Sequence, residues 1–272
     1  MEDMEIMEKR ENFGISKNSM SSMLSMVMKL TEIVAFLDRE LRTAEVKDYP
    51  NAHNGLQLEN PGEVTRVACA VDACEAVIEA ACEANADLLI VHHGLMWQGA
   101  QRIEGAAYRK LKRAMDGGLA IYSSHLPLDF HPRLGNNALL AKALGISKTE
   151  PFIEIGVRAK VNLPLADLVD RVEAAVHAPV HFAPGGPGRV RQLGIVTGGA
   201  AGEIAKAAAA GVDTFLTGEG SHWTFAAAEE LGVNLIYAGH YATETFGVKA
   251  LGAELLRKFK LPWAFIDHPS GL

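Results

Sequence analysis

Asp87-Leu88-Leu89-Ile90-Val91-His92-His93-Gly94 is the stretch that decides the fold. An unbroken apolar run of this length fits a strand buried on both faces, the habit of parallel sheets. The run ends abruptly in two histidines and a glycine. Upstream, residues 64–71 read as a second apolar strand, followed by a helix over 74–84. Downstream, a helix covers 104–115 and a third strand covers 119–123. That strand ends in His125-Leu126-Pro127-Leu128-Asp129, where Pro127 favours a loop. Strand–helix–strand units of this length imply mainly parallel sheets covered by helices. In open sheets of this kind ligands bind outside the carboxyl ends of the strands.

The same pattern returns later in the chain. Strands at 190–197, 213–217 and 233–238 alternate with helices at 201–210 and 223–231. Laid over the first copy, Asp213 falls on Asp87, Glu219 on His93, His240 on His125 and Glu244 on Asp129. Matched polar residues at strand ends carry this alignment better than Ala-rich helices do. The expectation is an α/β protein with two related, pseudo-twofold α/β halves. The sheets are largely parallel, with the site at the strand carboxyl ends. The first half covers 29–150. A strand–helix–strand segment, 151–188, connects it to a second half at 189–272. Residues 30–46 form a helix, with Leu30, Ile33, Val34, Leu37 and Leu41 on one face. Residues 48–61, rich in Pro, Asn and Gly, read as a loop. Residues 1–28 hold seven of the nine methionines and read as a disordered leader, or as the product of a start upstream of Met26 or Met28.

The strand ends supply the chemistry. Adjacent strand residues point to opposite faces, so His92 and His93 can serve two ions if the chain turns at Gly94. An isolated pair of this kind more often has one histidine on a backbone carbonyl and one exposed. His240 and Glu244 stand four apart entering a helix, which puts both on one face. Imidazole and carboxylate at that spacing suit first-row divalent metals. Asp129 can reach a metal or cap a turn. His125, Glu219 and His222 are near-site candidates, with Glu219 a base or a partner that orients a ligand imidazole. The stretch Thr197-Gly198-Gly199-Ala200-Ala201-Gly202 ends a strand and opens a helix; tight packing explains it better than phosphate binding. Trp97, Tyr122 and Tyr241 flank these residues and are read as pocket wall.

These motifs resemble the NIF-three-like family, many members of which are named GTP cyclohydrolase 1 type 2 homologues. The resemblance spans about 30–269. It rests on Asn54-Gly55-Leu56-Gln57, Val91-His92-His93-Gly94, His125-Leu126-Pro127-Leu128-Asp129, Leu134-Gly135-Asn136-Asn137, Thr217-Gly218-Glu219 and Gly239-His240-Tyr241-Ala242-Thr243-Glu244. It implies two divalent metal ions per chain held by His92, His93, Asp129, His240 and Glu244. It also implies a toroidal homohexamer, a trimer of dimers.

Composition narrows the function. The chain has 272 residues, 49% of them hydrophobic, enough for a sizeable core. A net charge of -7 and no long basic run argue against a nucleic-acid backbone as main partner. Arg102, Arg109, Lys110, Lys112 and Arg113 read as a solvated helix face. Three cysteines without a C-x-x-C pair fit reduced thiols, and hence the cytoplasm. No apolar run approaches the roughly 20 residues that span a bilayer. The reading that follows is a metal-dependent hydrolase of a small, nucleotide-like molecule. The alternative is a non-enzymatic metal-loaded ring that binds or assembles. Histidine with carboxylate suits zinc, iron, manganese, nickel or cobalt alike.

Overall fold

The computed structural model describes residues 26–97, 99 and 101–272. Apart from its last three residues, the expected leader lies outside them. Strand β1 (Met28–Lys29) leads into helix α1 (Leu30–Leu41), which buries Leu30, Ile33, Phe36, Leu37 and Leu41. Met28 pairs with Val64, so it belongs to the fold and not to the leader. Helix α1 stops at Arg42, which takes a left-handed conformation and donates its N–H to the Asp38 carbonyl. The segment read as a loop contains strand β2 (Gly55–Leu58). Then come β3 (Glu63–Val64), β4 (Val67–Asp72), α2 (Glu75–Glu83), β5 (Leu88–His93), α3 (Gly105–Asp116) and β6 (Ala120–Ser123). Pro127 does not make a loop. It stands in the first turn of the short helix α4 (Leu126–Asp129), where a missing N–H costs nothing. Helix α5 (Asn136–Ala143) follows.

The remaining elements are β7 (Glu150–Phe152), β8 (Gly156–Pro164), α6 (Leu165–Val176), β9 (His181–Pro184), β10 (Arg189–Ile195), a 3-10 turn at Ala201–Glu203, α7 (Ile204–Ala209), β11 (Thr214–Thr217), α8 (Trp223–Leu231), β12 (Asn234–Tyr237), α9 (His240–Phe259) and β13 (Trp263–Phe265).

Two larger sheets result. The first has five strands in the order β13-β4-β5-β6-β2, all parallel except β2. The second has six, in the order β7-β8-β10-β11-β12-β9. Its centre, β10-β11-β12, is parallel, but β7, β8 and β9 are antiparallel additions. The sheets do not follow the divisions expected from sequence. The connecting segment gives β8 and β9 to the second sheet, and the last strand returns to the first.

Asp87 and Asp213, paired by alignment, do the same work. Each carboxylate accepts two successive backbone N–H groups, from Thr65 and Arg66 in one case and from Arg191 and Gln192 in the other. Each sheet carries an apolar cluster on both faces. Helix α9 starts at the end of β12 in the second sheet. Farther along, it buries Val248, Leu251 and Leu255 in the cluster that α1 covers on the first sheet. It therefore carries His240 and Glu244 from one sheet to the histidine end of the other.

Candidate metal centre

Strand β5 keeps its pairing through His93, opposite Asp72 of β4. The two histidines still share one cluster, with ring centroids 4.8 Å apart. His92 is fully buried, and its Nδ1–H donates to the Ser124 carbonyl at 2.8 Å. That fixes Nε2 as the inward nitrogen, and Nε2 is buried with no hydrogen-bond partner. The Nδ1–H of His93 donates to Asp72 at 2.8 Å, that of His240 to Glu219 at 2.9 Å, and that of His125 to Asp48 at 2.9 Å. An imidazole anchored through Nδ1 presents Nε2 in a fixed direction and is more basic for it, the arrangement that supports ligands in metal sites.

Glu244 lies among these nitrogens, nearly inaccessible to solvent. Its Oε1 is 3.5 Å from Nε2 of His92. Its Oε2 is 3.1 Å from Nε2 of His240 and 3.4 Å from Nε2 of His93. Asp129 Oδ2 stands 3.5 Å from Nε2 of His92. Its Oδ1 accepts from Asn136 Nδ2 at 2.8 Å and from the Thr197 hydroxyl at 3.5 Å. Asn136 Oδ1 in turn accepts the Gly247 N–H of α9 at 2.7 Å. Asn137 ties the Asp129 and Ile155 carbonyls to the N–H of Thr197.

Most of these separations are too long for good hydrogen bonds. They match neighbouring ligands of one cation: atoms roughly 2.0–2.1 Å from an ion at tetrahedral angles lie about 3.4 Å apart. Two groups of possible donor atoms gather with all members within 4.8 Å of one another, His92-His93-His125 and His93-His240-Glu244. The donors present therefore fit a divalent metal.

Charge says the same. Burial opposes a proton on His92, but the facing carboxylates of Asp129 and Glu244 overcome it and raise its pKa to about 10. Burial likewise opposes the proton on His240, and Glu244 and Glu219 raise its pKa to about 9. Burial pushes the Asp129 carboxyl up despite His92. It favours a neutral Glu244 too, yet His92 and His240 hold that carboxyl well below the usual range. Without a cation, protons on imidazole balance the buried carboxylates; a divalent ion would displace them.

The five residues expected as ligands thus come together, with His125 beside them. Glu219 orients His240. His222 does not join: it is exposed at the start of α8. Asp48, Asp72 and Ser124 were not foreseen. Asp72 stands at a strand end like the histidines, which was the available signal. The glycine stretch at 197–202 spends four of its N–H groups internally. Thr197, Gly198, Ala200 and Ala201 donate to Asn137, Thr243, Thr217 and Glu219. Gly198 has φ +71°, and a Cβ there would collide with Glu244 Oε1. Packing, not phosphate, explains it. Arg109 and Lys112 pair with Glu75 and Asp116, as on a solvated face. Tyr122 donates to Asp38 and Tyr241 to Asp267, while Trp97 lines the cavity above the site.

The model of the Duf34/NIF3 (NGG1p interacting factor 3) family matches residues 28–270. The chain belongs to this family. It is 41% identical to a GTP cyclohydrolase 1 type 2 homolog of Deinococcus radiodurans, over 89% of this chain and 94% of that protein. A Pyrococcus abyssi protein of the same name is 40% identical, over 90% and 100%. The crystal structure of TTHA1606 from Thermus thermophilus superposes with a TM-score of 0.85 at 41% identity, covering 90% of this chain and all of that one. Reduced HcgD from Methanocaldococcus jannaschii gives 0.80 at 25% identity, covering 89% and 99%. All three cysteines are free, and no helix among the described residues is long and apolar enough to cross a membrane.

Proposed function

We propose that this chain holds two divalent metal ions and uses them in hydrolysis of a small molecule. One observation carries the reading: the two oxygens of Glu244 face different imidazoles, Oε1 towards His92 and Oε2 towards His240 and His93. His92, Asp129, His93, His240 and Glu244 would hold the ions, with Glu244 offering an oxygen to each side of the cluster. Two ions held there would supply Lewis acidity and make water a better nucleophile at neutral pH. The chain's own residues do the rest. Ser124, Asp72 and Glu219 fix the imidazole directions, and Asn136 with Thr197 holds Asp129. A cavity of about 470 Å³ opens above the cluster, within the range of small-molecule sites. The toroidal hexamer is a separate proposal, checked by particle mass in solution.

Elemental analysis of untagged protein tests the reading, with a His92→Ala/His240→Ala variant as blank. About two equivalents per chain, lost in the variant, support it. No metal in either protein after anaerobic reconstitution would overturn it. With metal present, His93→Ala and Asp129→Ala variants that stay folded should lose turnover; unchanged turnover in both removes the hydrolase assignment.

A further inference from the structure

The cavity above the cluster is lined by Tyr49, Trp97, Glu203 and four of the expected ligands, His93, Asp129, His240 and Glu244, and among the described residues no Lys or Arg lines it. Six carboxylates surround it: Asp48, Asp72, Asp129, Glu203, Glu219 and Glu244. Of these, Glu203 is paired outward with Lys206 at 2.6 Å. Four positive charges from two divalent ions would leave such a site anionic when its imidazoles are neutral, even with Glu203 discounted for its pairing with Lys206. The stretch at 197–202, where a phosphate would otherwise find N–H donors, has spent four of them on Asn137, Thr243, Thr217 and Glu219. One phosphate could sit on the metals themselves. Further phosphates of a chain would face Asp72 and Glu219, with no Lys or Arg in the lining among the described residues to meet them.

The wall offers aromatic surface instead. Tyr49 is 63% exposed and lines the cavity, so much of its ring is open to a ligand there. Its ring lies 6.4 Å from Trp97 and 5.8 Å from His125, and Trp97 meets His125 edge-on at 4.7 Å. The Trp97 indole N–H is buried without an acceptor among the described residues. A planar ring with acceptors on its edge answers both features.

We infer that the ligand of this site is an uncharged planar heteroaromatic compound, at the level of a nucleobase or nucleoside, and that a polyphosphate chain on it weakens binding. This rests on the two-metal reading above. The test is calorimetric titration of metal-loaded protein with adenosine, AMP and ATP, and with guanosine, GMP and GTP, metal content being measured on the same samples. At least one nucleoside should bind, with its triphosphate about tenfold weaker or more. Tyr49→Ala should weaken the nucleoside about tenfold with metal content unchanged. Metal-loaded protein that binds a triphosphate more tightly than its nucleoside, or none of the six, overturns this inference and leaves the metal reading standing. So does a Tyr49→Ala variant that binds like the parent. Protein that takes up no metal overturns both.

Discussion

At the residue scale, the candidate centre is shaped by the groups behind the expected ligands as well as by those ligands. Asp72 shows this: its carboxylate holds His93 through Nδ1 and makes no approach to the other ligand atoms. Asp72→Asn keeps the size but offers a weaker acceptor, or turns a donor to the same nitrogen. Metal affinity should fall by roughly 10–100-fold, the usual effect of losing such a partner. Competition with a chromogenic chelator measures it. Unchanged affinity would mean that the backbone alone aims His93. What was legible at this scale was chemistry at strand ends. His92, His93, His240 and Glu244 stand out because each interrupts or follows an apolar strand. Asp48 does not, since its partner lies 77 residues away, and Asp72 ends an apolar strand as the histidines do, but its partner His93 lies 21 residues away.

At the element scale, α9 is the piece on which the site turns, and its fit to the first sheet can be probed away from the metals. Gly252 lies where α9 crosses that sheet, and a Cβ there would overlap the Trp263 ring and stand 3.0 Å from the Cys69 sulfur. In an open helix, Gly→Ala stabilises by about 1 kcal/mol. Here overpacking, typically about 1–3 kcal/mol, should outweigh it and make Gly252→Ala destabilising in urea unfolding. A stabilised variant would show that α9 can lift from the sheet freely. Within the same helix Glu254 pairs with Arg257, and it also pairs with Arg133, which reaches Glu40 of α1. The hydrogen bond from Arg257, helped by Arg133, lowers the Glu254 pKa from 4.5 to about 2. A depressed carboxylate stabilises the fold above its ordinary pKa, and that contribution is lost as pH falls through the folded value. The stability gap between parent and Glu254→Gln should therefore be full at pH 7 and close between about pH 4.5 and 2. A gap that persists at pH 2 would assign it to packing. Sequence periodicity found α9 as a helix, but not its crossing to the first sheet. Nor did it find β13 beside β4, because strand pairing between distant segments leaves no local pattern.

At the scale of the whole molecule, the candidate metal centre sits where the two sheets meet. His92 and His93 come from the end of β5, Asp129 from α4, and His240 and Glu244 from the first turns of α9. A cation bound there would clamp elements that otherwise meet through hydrogen bonds such as Asn136 to Gly247 and Asn137 to Thr197. Ligands that bind only the folded state stabilise it by mass action, about 2.7 kcal/mol at a hundredfold excess over Kd. Metal removal should therefore lower the melting temperature. The loss should also be local, since the four apolar clusters contain none of the five expected ligands. Hydrogen exchange on chelated protein should show faster exchange at 124–129, 197–200 and 240–247, while the strand centres at 88–91 and 214–216 keep their protection. Uniform loss across both sheets would mean that the fold itself depends on the metal. No change at the junction would mean that the Asn136 and Asn137 bonds already hold the site in shape, ready for the ion to enter.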